Sequence, residues 1–175
     1  MPAEHTQTPA AEPAAERAHF LSLLRQFHTA MLVTHVGGDQ LRARPMAVAH
    51  VEDDGKVWFL SGDDTAKTHE IETDTRVHIV CQHDRSAYLS LDGLAELSHD
   101  RAKIAEVWQE PYKVWFPGGK DDPSIVLIGV TPVTGEYWDN EGQHKLKYLF
   151  EAVKAYVTKT VPEVKEGEQH GRVEL

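Results

Sequence analysis

The stretch Leu41–Lys67, LRARPMAVAHVEDDGKVWFLSGDDTAK, carries most of the fold signal in this chain. Its first half alternates, with Met46, Val48 and His50 on one face and Ala47, Ala49 and Val51 on the other, the pattern of a strand. Asp53-Asp54-Gly55 is a hairpin turn by composition, and the strand signal resumes over Lys56–Ser61 through Val57, Trp58, Phe59 and Leu60. Gly62-Asp63-Asp64 then opens a short helix running to about Thr73, with Thr65 or Asp64 as its N-cap.

Outward from this stretch the same grammar repeats. Ala14–Phe27 reads as an amphipathic helix, with Phe20, Leu23, Leu24 and Phe27 at helical spacing. Ala30–Val36 is a strand ending at Gly37-Gly38. Arg76–Gln82 and Ala87–Leu97 are two more, and Gly93 inside the second predicts a bulge or a barrel bend. Asp100 caps a helix to about Gln109, and Pro111–Pro123 is irregular. Ser124–Val130 is an apolar strand that extends beyond Pro132 to Trp138, and Gln143 to about Thr158 forms a last helix. Short strands outnumber helices, and the helices stand singly between them. This order predicts a mainly β fold, a barrel with peripheral helices, rather than a parallel βαβ sheet.

The 175 residues suffice for one domain with a real core. Residues 1–16, rich in Ala, Pro and Glu, read as a disordered leader without signal-peptide features. The domain spans 17–160, and residues 161–175 read as a flexible charged tail. The single cysteine, Cys81, excludes an internal disulfide and argues for a reducing, cytoplasmic setting. A net charge of −10 speaks against sequence-independent nucleic-acid binding, which needs many Lys and Arg contacts to phosphate. Eleven scattered histidines form no His-Glu-x-x-His pair, and no metal site is expected.

Three segments carry chemistry. Arg42 and Arg44 stand two apart and so point to one side of a strand, and Pro45 removes a ladder donor; a solvated edge strand and an anion site both accommodate this. Ser61 leads through a polar turn to Thr65-Ala66-Lys67, where a helix start, a hydroxyl and an ammonium together suit phosphate, although a capped helix with an exposed lysine reads equally well. Trp115-Phe116-Pro117-Gly118-Gly119 sets two large aromatics in a Gly/Pro loop, where they plug the core or cover a planar ligand or a partner.

Taken in order, Arg42-x-Arg44-Pro45-Met46, Trp58-Phe59-Leu60-Ser61, Thr65-x-Lys67, Tyr88-Leu89-Ser90-Leu91-Asp92-Gly93, Trp108, Trp115-Phe116-Pro117-Gly118-Gly119, Asp122-Pro123 and Tyr137-Trp138 resemble the general stress protein 26 branch of the pyridoxamine 5′-phosphate oxidase-like flavoproteins. The resemblance covers about Phe20–Asp139. It implies a six-stranded antiparallel split barrel that binds flavin mononucleotide (FMN) and forms homodimers with the flavin at the subunit interface. On this chain it implies that Arg44 and Lys67 hold the FMN phosphate, with Thr65 as hydroxyl donor and Arg42 as a further cation. It places Pro45 and Met46 along the ring or ribityl chain, Leu60 and Ser61 at the ring edge, and Tyr88 at a flavin-contacting position. Trp115 and Phe116 are expected to come from the second subunit and cover the flavin.

The implied activity is that of a stress-associated flavin-dependent oxidoreductase with an unidentified small-molecule redox partner. No catalytic residue is evident, which leaves a non-catalytic flavin store or sensor as the alternative. Oxidation of pyridoxine or pyridoxamine phosphate is not expected: oxidases of that type carry a C-terminal Arg-x-His element, whereas here His170 precedes Arg172.

Overall fold

The computed structural model describes residues 13–83, 87–139 and 170–175. Helix α1 (Pro13–Leu24) leads into β1 (Thr29–Gly37), β2 (Gln40–Ala47), β3 (His50–Val51) and β4 (Val57–Gly62). Helix α2 (Ala66–Thr73) follows, then β5 (Arg76–His83), β6 (Ala87–Ser98) and helix α3 (Arg101–Val107). Two 3₁₀ turns, Glu110–Val114 and Gly119–Asp121, precede the long β7 (Ile125–Asp139), and β8 is His170–Glu174.

The strands form one antiparallel sheet in the order β2-β1-β5-β6-β7-β4-β3, with β8 added on β7. Its two ends belong to one bent strand. β2 pairs with β1, and its continuation β3 pairs with β4. At the bend the Val48 amide donates to the His28 carbonyl and the Ala49 amide to the Trp58 carbonyl, 3.0 and 2.8 Å. The continuous strand read over Leu41–Val51 is therefore one strand with a hinge at Val48-Ala49, which curls the sheet into the barrel-like split form. Counting β2 and β3 as one gives the six strands expected, with β8 as an addition.

The core runs inside this curl. Leu32, Phe59, Ile79, Leu89, Leu91 and Ile128 are fully or almost fully buried, and Phe20 and Leu24 of α1 pack onto them. A second cluster, Trp58, Ile104, Val107, Tyr112, Phe116, Ile125 and Leu127, sits where α3 and the following turn cover β4 and β7. The bulge expected at Gly93 is present: the β6–β7 register shifts between Asp92 and Gly93.

Several boundaries differ from the sequence reading. The described residues of helix α1 begin at Pro13, inside the expected leader. α1 ends at Leu24, yet Phe27 stays buried in the core. α3 stops at Val107, and a 3₁₀ turn then begins at Glu110, with Pro111 as its second residue. The expectation of a flexible tail fails for 170–174, which add a strand to β7 and bury Val173. The helix expected over Gln143–Thr158 lies outside the described residues. Among the described residues no helix is long and apolar enough to cross a membrane, and no group of His, Cys, Asp or Glu is placed to hold a metal.

Candidate functional site

A cavity of about 470 Å³ opens where three elements converge. Pro45, Met46 and Ala47 at the end of β2 form one side, and Leu60, Ser61 and Gly62 at the end of β4 another. Thr65 and Lys67 at the start of α2 lie at one corner, and Tyr112, Trp115, Phe116 and Ser124 complete the wall.

The α2 corner is built by local hydrogen bonding. Thr65 is the N-cap: its side chain accepts from the Thr68 amide, and Thr68 returns a bond to the Thr65 amide. The Asp63 amide donates to the Ser124 carbonyl at 2.8 Å, tying the turn before α2 to the start of β7. The Ala66 and Lys67 amides, in the first turn of the helix, make no hydrogen bond among the described residues. They are two of the donors every helix start leaves over.

Lys67 is half-buried in this corner, and unlike the other described lysines it makes no ion pair. Burial, followed by the neighbouring Arg44 charge, lowers its pKa, and Glu70 only partly offsets this. A cation with no ion-pair partner among the described residues, in a partly dry corner, favours an anion.

The two arginines of β2 do point to one side, as their spacing predicts. They do not line the cavity. Instead they close on Glu70 of α2, with Arg42 Nη1 to Oε1 at 2.5 Å and Arg44 Nη2 to Oε2 at 2.6 Å. Thr34, fully buried on β1, donates its hydroxyl to Glu70 and accepts from Arg44 Nη1, both at 2.5 Å. Burial alone would raise the Glu70 pKa, but the hydrogen bonds from Thr34 and Arg44 and the two guanidinium charges outweigh it, and the carboxylate titrates below its usual range. Arg44 thus stands behind Lys67, close enough to depress its pKa, while spending its donors on Glu70 and Thr34.

Of the residues singled out in the sequence, Pro45, Met46, Leu60, Ser61, Thr65, Lys67, Trp115 and Phe116 meet in this one cavity. Trp115 and Phe116 line it within the same chain as Lys67. Phe116 is also part of the core cluster, whereas Trp115 is 66% exposed, so the two aromatics divide the roles left open between them. Tyr88 lies elsewhere, opposite Trp138 at the far end of β6 from Ser98, the residue that pairs with Leu127 beside the cavity. Sequence reasoning missed Glu70 and Tyr112. A helical Glu three residues after Lys67 carries no signal of burial, and Tyr112 is shadowed by the two aromatics after it, Trp115 and Phe116.

The family model described as pyridoxamine 5′-phosphate oxidase like matches residues 15–163. Among solved structures, a protein assigned as general stress protein 26 from Jannaschia sp. CCS1 is 28% identical over 93% of this chain and 99% of its own, with a TM-score of 0.73. The general stress FMN/FAD binding protein from the phytopathogen Xanthomonas citri is 26% identical over 74% of this chain and 92% of its own, TM-score 0.63. A protein of Listeria innocua assigned as pyridoxamine 5′-phosphate oxidase is 31% identical over 66% of this chain and 92% of its own, TM-score 0.56. No curated protein matches the chain in sequence. With the cavity, the split sheet and these likenesses together, the chain belongs to the pyridoxamine 5′-phosphate oxidase-like family, on its general stress protein 26-like branch.

Proposed function

We propose that this chain binds FMN in the cavity described above and serves as a flavin-dependent oxidoreductase with a small-molecule redox partner. The observation that carries the reading is Lys67, a half-buried ammonium that, among the described residues, has no ion pair and stands beside two unbonded helix amides. A phosphate monoester brings about −1.5 to −2 charge and three acceptor oxygens, which suits that corner. The cavity volume, about 470 Å³, lies inside the usual range for ligand sites. Pro45, Met46, Leu60, Trp115 and Phe116 make much of its remaining wall apolar and partly aromatic, as a planar ring requires. A bound flavin supplies the electron transfer; the protein supplies the binding, the orientation and the field. Here Lys67, Thr65 and the α2 amides hold the phosphate, and Arg44 adds positive potential from behind Glu70.

The same reading includes a homodimer. Met31 and Val80 are cross-strand neighbours on the outer face of the sheet and both are exposed, and Tyr88 lies exposed on the adjoining β6, opposite Gln82 of β5. An exposed apolar face of this kind suits a second copy. It would carry Tyr88 toward the partner's flavin.

The test compares FMN with riboflavin, which lacks the phosphate. Lys67→Ala should weaken FMN roughly 10- to 100-fold, the loss expected for a charge-assisted hydrogen bond, and leave riboflavin nearly unchanged. Equal losses for both ligands, or no flavin binding by the unaltered protein, would refute the assignment.

A second reading, a flavin store or sensor without turnover, is favoured by one feature: among the described residues no Asp, Glu, His or Cys lines the cavity. Stopped-flow mixing of the flavin-loaded protein with NADH and with NADPH separates the two. Rapid bleaching of the flavin bands supports the oxidoreductase, and their persistence supports the store.

A further inference from the structure

We propose that the Tyr112 hydroxyl is a ligand-binding group that donates a hydrogen bond to an oxygen on the ring-and-ribityl portion of the bound flavin; this rests on the reading of the cavity as a flavin site.

Among the described residues, the hydroxyl-bearing side chains of the residues that line the cavity are Ser61, Thr65, Ser124 and Tyr112. Three already have a partner within the fold. Ser61 donates to the Gly62 carbonyl at 2.9 Å, and Ser124 donates to Asp122 Oδ1 at 2.7 Å. Thr65 accepts from the Thr68 amide as the cap of α2. Tyr112 has no hydrogen-bond partner for its hydroxyl among the described residues, although the residue is only 7% exposed. Buried phenol oxygens nearly always find a partner, and one left without has a reason elsewhere.

Packing does not supply that reason. The Tyr112 ring sits in the cluster of Ile104, Val107, Ile125 and Leu127 and meets Trp108 edge-on, centroids 5.8 Å apart at 73°. Phenylalanine would make the same contacts, and the chain uses phenylalanine four residues later, at Phe116, on the same wall. The oxygen of Tyr112 is therefore the part of the side chain that the fold itself does not use. Burial raises its pKa, so the group stays a proton donor through neutral and mildly alkaline pH.

Its place along β4 selects the part of the ligand. Ile125 and Leu127 of the Tyr112 cluster pair with Gly62 and Leu60, whereas Thr65 and Lys67 lie beyond Gly62 on α2. The phenol thus belongs to the apolar wall, and the phosphate corner is the neighbouring end of the cavity.

The experiment is Tyr112→Phe, with dissociation constants for FMN and for riboflavin read by fluorescence quenching, and a thermal melt of the ligand-free protein. Both flavins should weaken by the same factor, about 3- to 10-fold, the worth of one neutral hydrogen bond. The ligand-free melting temperature should stay or rise, because an unpaired buried hydroxyl has been removed. Affinities within twofold of the unaltered protein, a loss confined to FMN, or a fall in melting temperature would each overturn the proposal. If the unaltered protein binds neither flavin, the flavin reading itself falls, an outcome distinct from all three.

Discussion

Arg44 Nη2 lies 2.6 Å from Oε2 of Glu70, joining an outer strand of the sheet to the helix that starts at the cavity. Glu70 also takes Arg42 and Thr34, so one buried carboxylate fixes α2 against β1 and β2. Removing it leaves two guanidinium groups facing one another with Lys67 close by. Glu70→Ala should therefore cost about 3 kcal/mol, as when one partner of a buried ion pair is deleted, and Glu70→Gln should cost less because the amide oxygen still accepts. Denaturant unfolding at pH 7 measures both; a cost below about 0.5 kcal/mol for the alanine variant would place the cluster among inert surface pairs.

The pH dependence of that clasp has a definite sign. The folded-state pKa of Glu70 is below its unfolded value, so its contribution is fully present above the unfolded pKa. It fades as pH falls through the usual carboxylate range toward the lower folded value. The gap in stability between the unaltered protein and Glu70→Gln should be constant near neutrality and close on acidification; a gap that widened toward acid would contradict the charge assignment.

How far the site could be read from sequence follows from these same residues. The spacing of Arg42 and Arg44 fixes that they share a side, because strand geometry is local. Their partner is not legible, since Glu70 reaches them only through the docking of α2 on β1. Thr65 as cap and Gly93 as bulge were legible because caps and bulges have short-range signatures. The hinge at Val48-Ala49 was not, because the alternation runs through it unbroken while the strand changes partners. β8 was hidden for a different reason: its five residues hold one buried valine, too few for a period to show.

Gly93 allows a direct test of the bulge. A Cβ there would sit 2.6 Å from Val130 Cγ1 and 2.8 Å from the Thr131 carbonyl oxygen. The valine can turn, but the backbone oxygen belongs to the β6–β7 ladder and cannot easily yield. Gly93→Ala should destabilise by about 1–3 kcal/mol, the usual cost of overpacking, measured by denaturant midpoint. A neutral substitution would mean the bulge relaxes freely.

Lys67 predicts a pH profile for ligand binding. Its ammonium is easier to deprotonate than an ordinary lysine because of burial and Arg44. Affinity for FMN should thus fall as pH rises through that lowered pKa, while riboflavin affinity stays level over the same range. Lys67→Arg should flatten the FMN profile, since a guanidinium keeps its proton throughout. Parallel titrations from neutral to alkaline pH decide it, and identical profiles for Lys67 and its arginine variant would remove the ammonium from the site.

Trp115 and Phe116 are adjacent, yet the fold gives them opposite expectations. Phe116 is 9% exposed within the cluster of Ile104, Val107 and Leu127, so Phe116→Ala should cost about 3–5 kcal/mol of stability. Trp115 lines the cavity but is 66% exposed, so the core loses little when it goes. Trp115→Ala should shift stability by no more than about 0.5 kcal/mol. Its effect should fall on flavin affinity instead, weakening FMN and riboflavin alike by about 2- to 10-fold, the worth of an aromatic contact. Melting curves and flavin titrations on the two variants separate the roles: a Trp115→Ala protein that melts as early as Phe116→Ala would make this tryptophan a core residue and leave the ring without its cover.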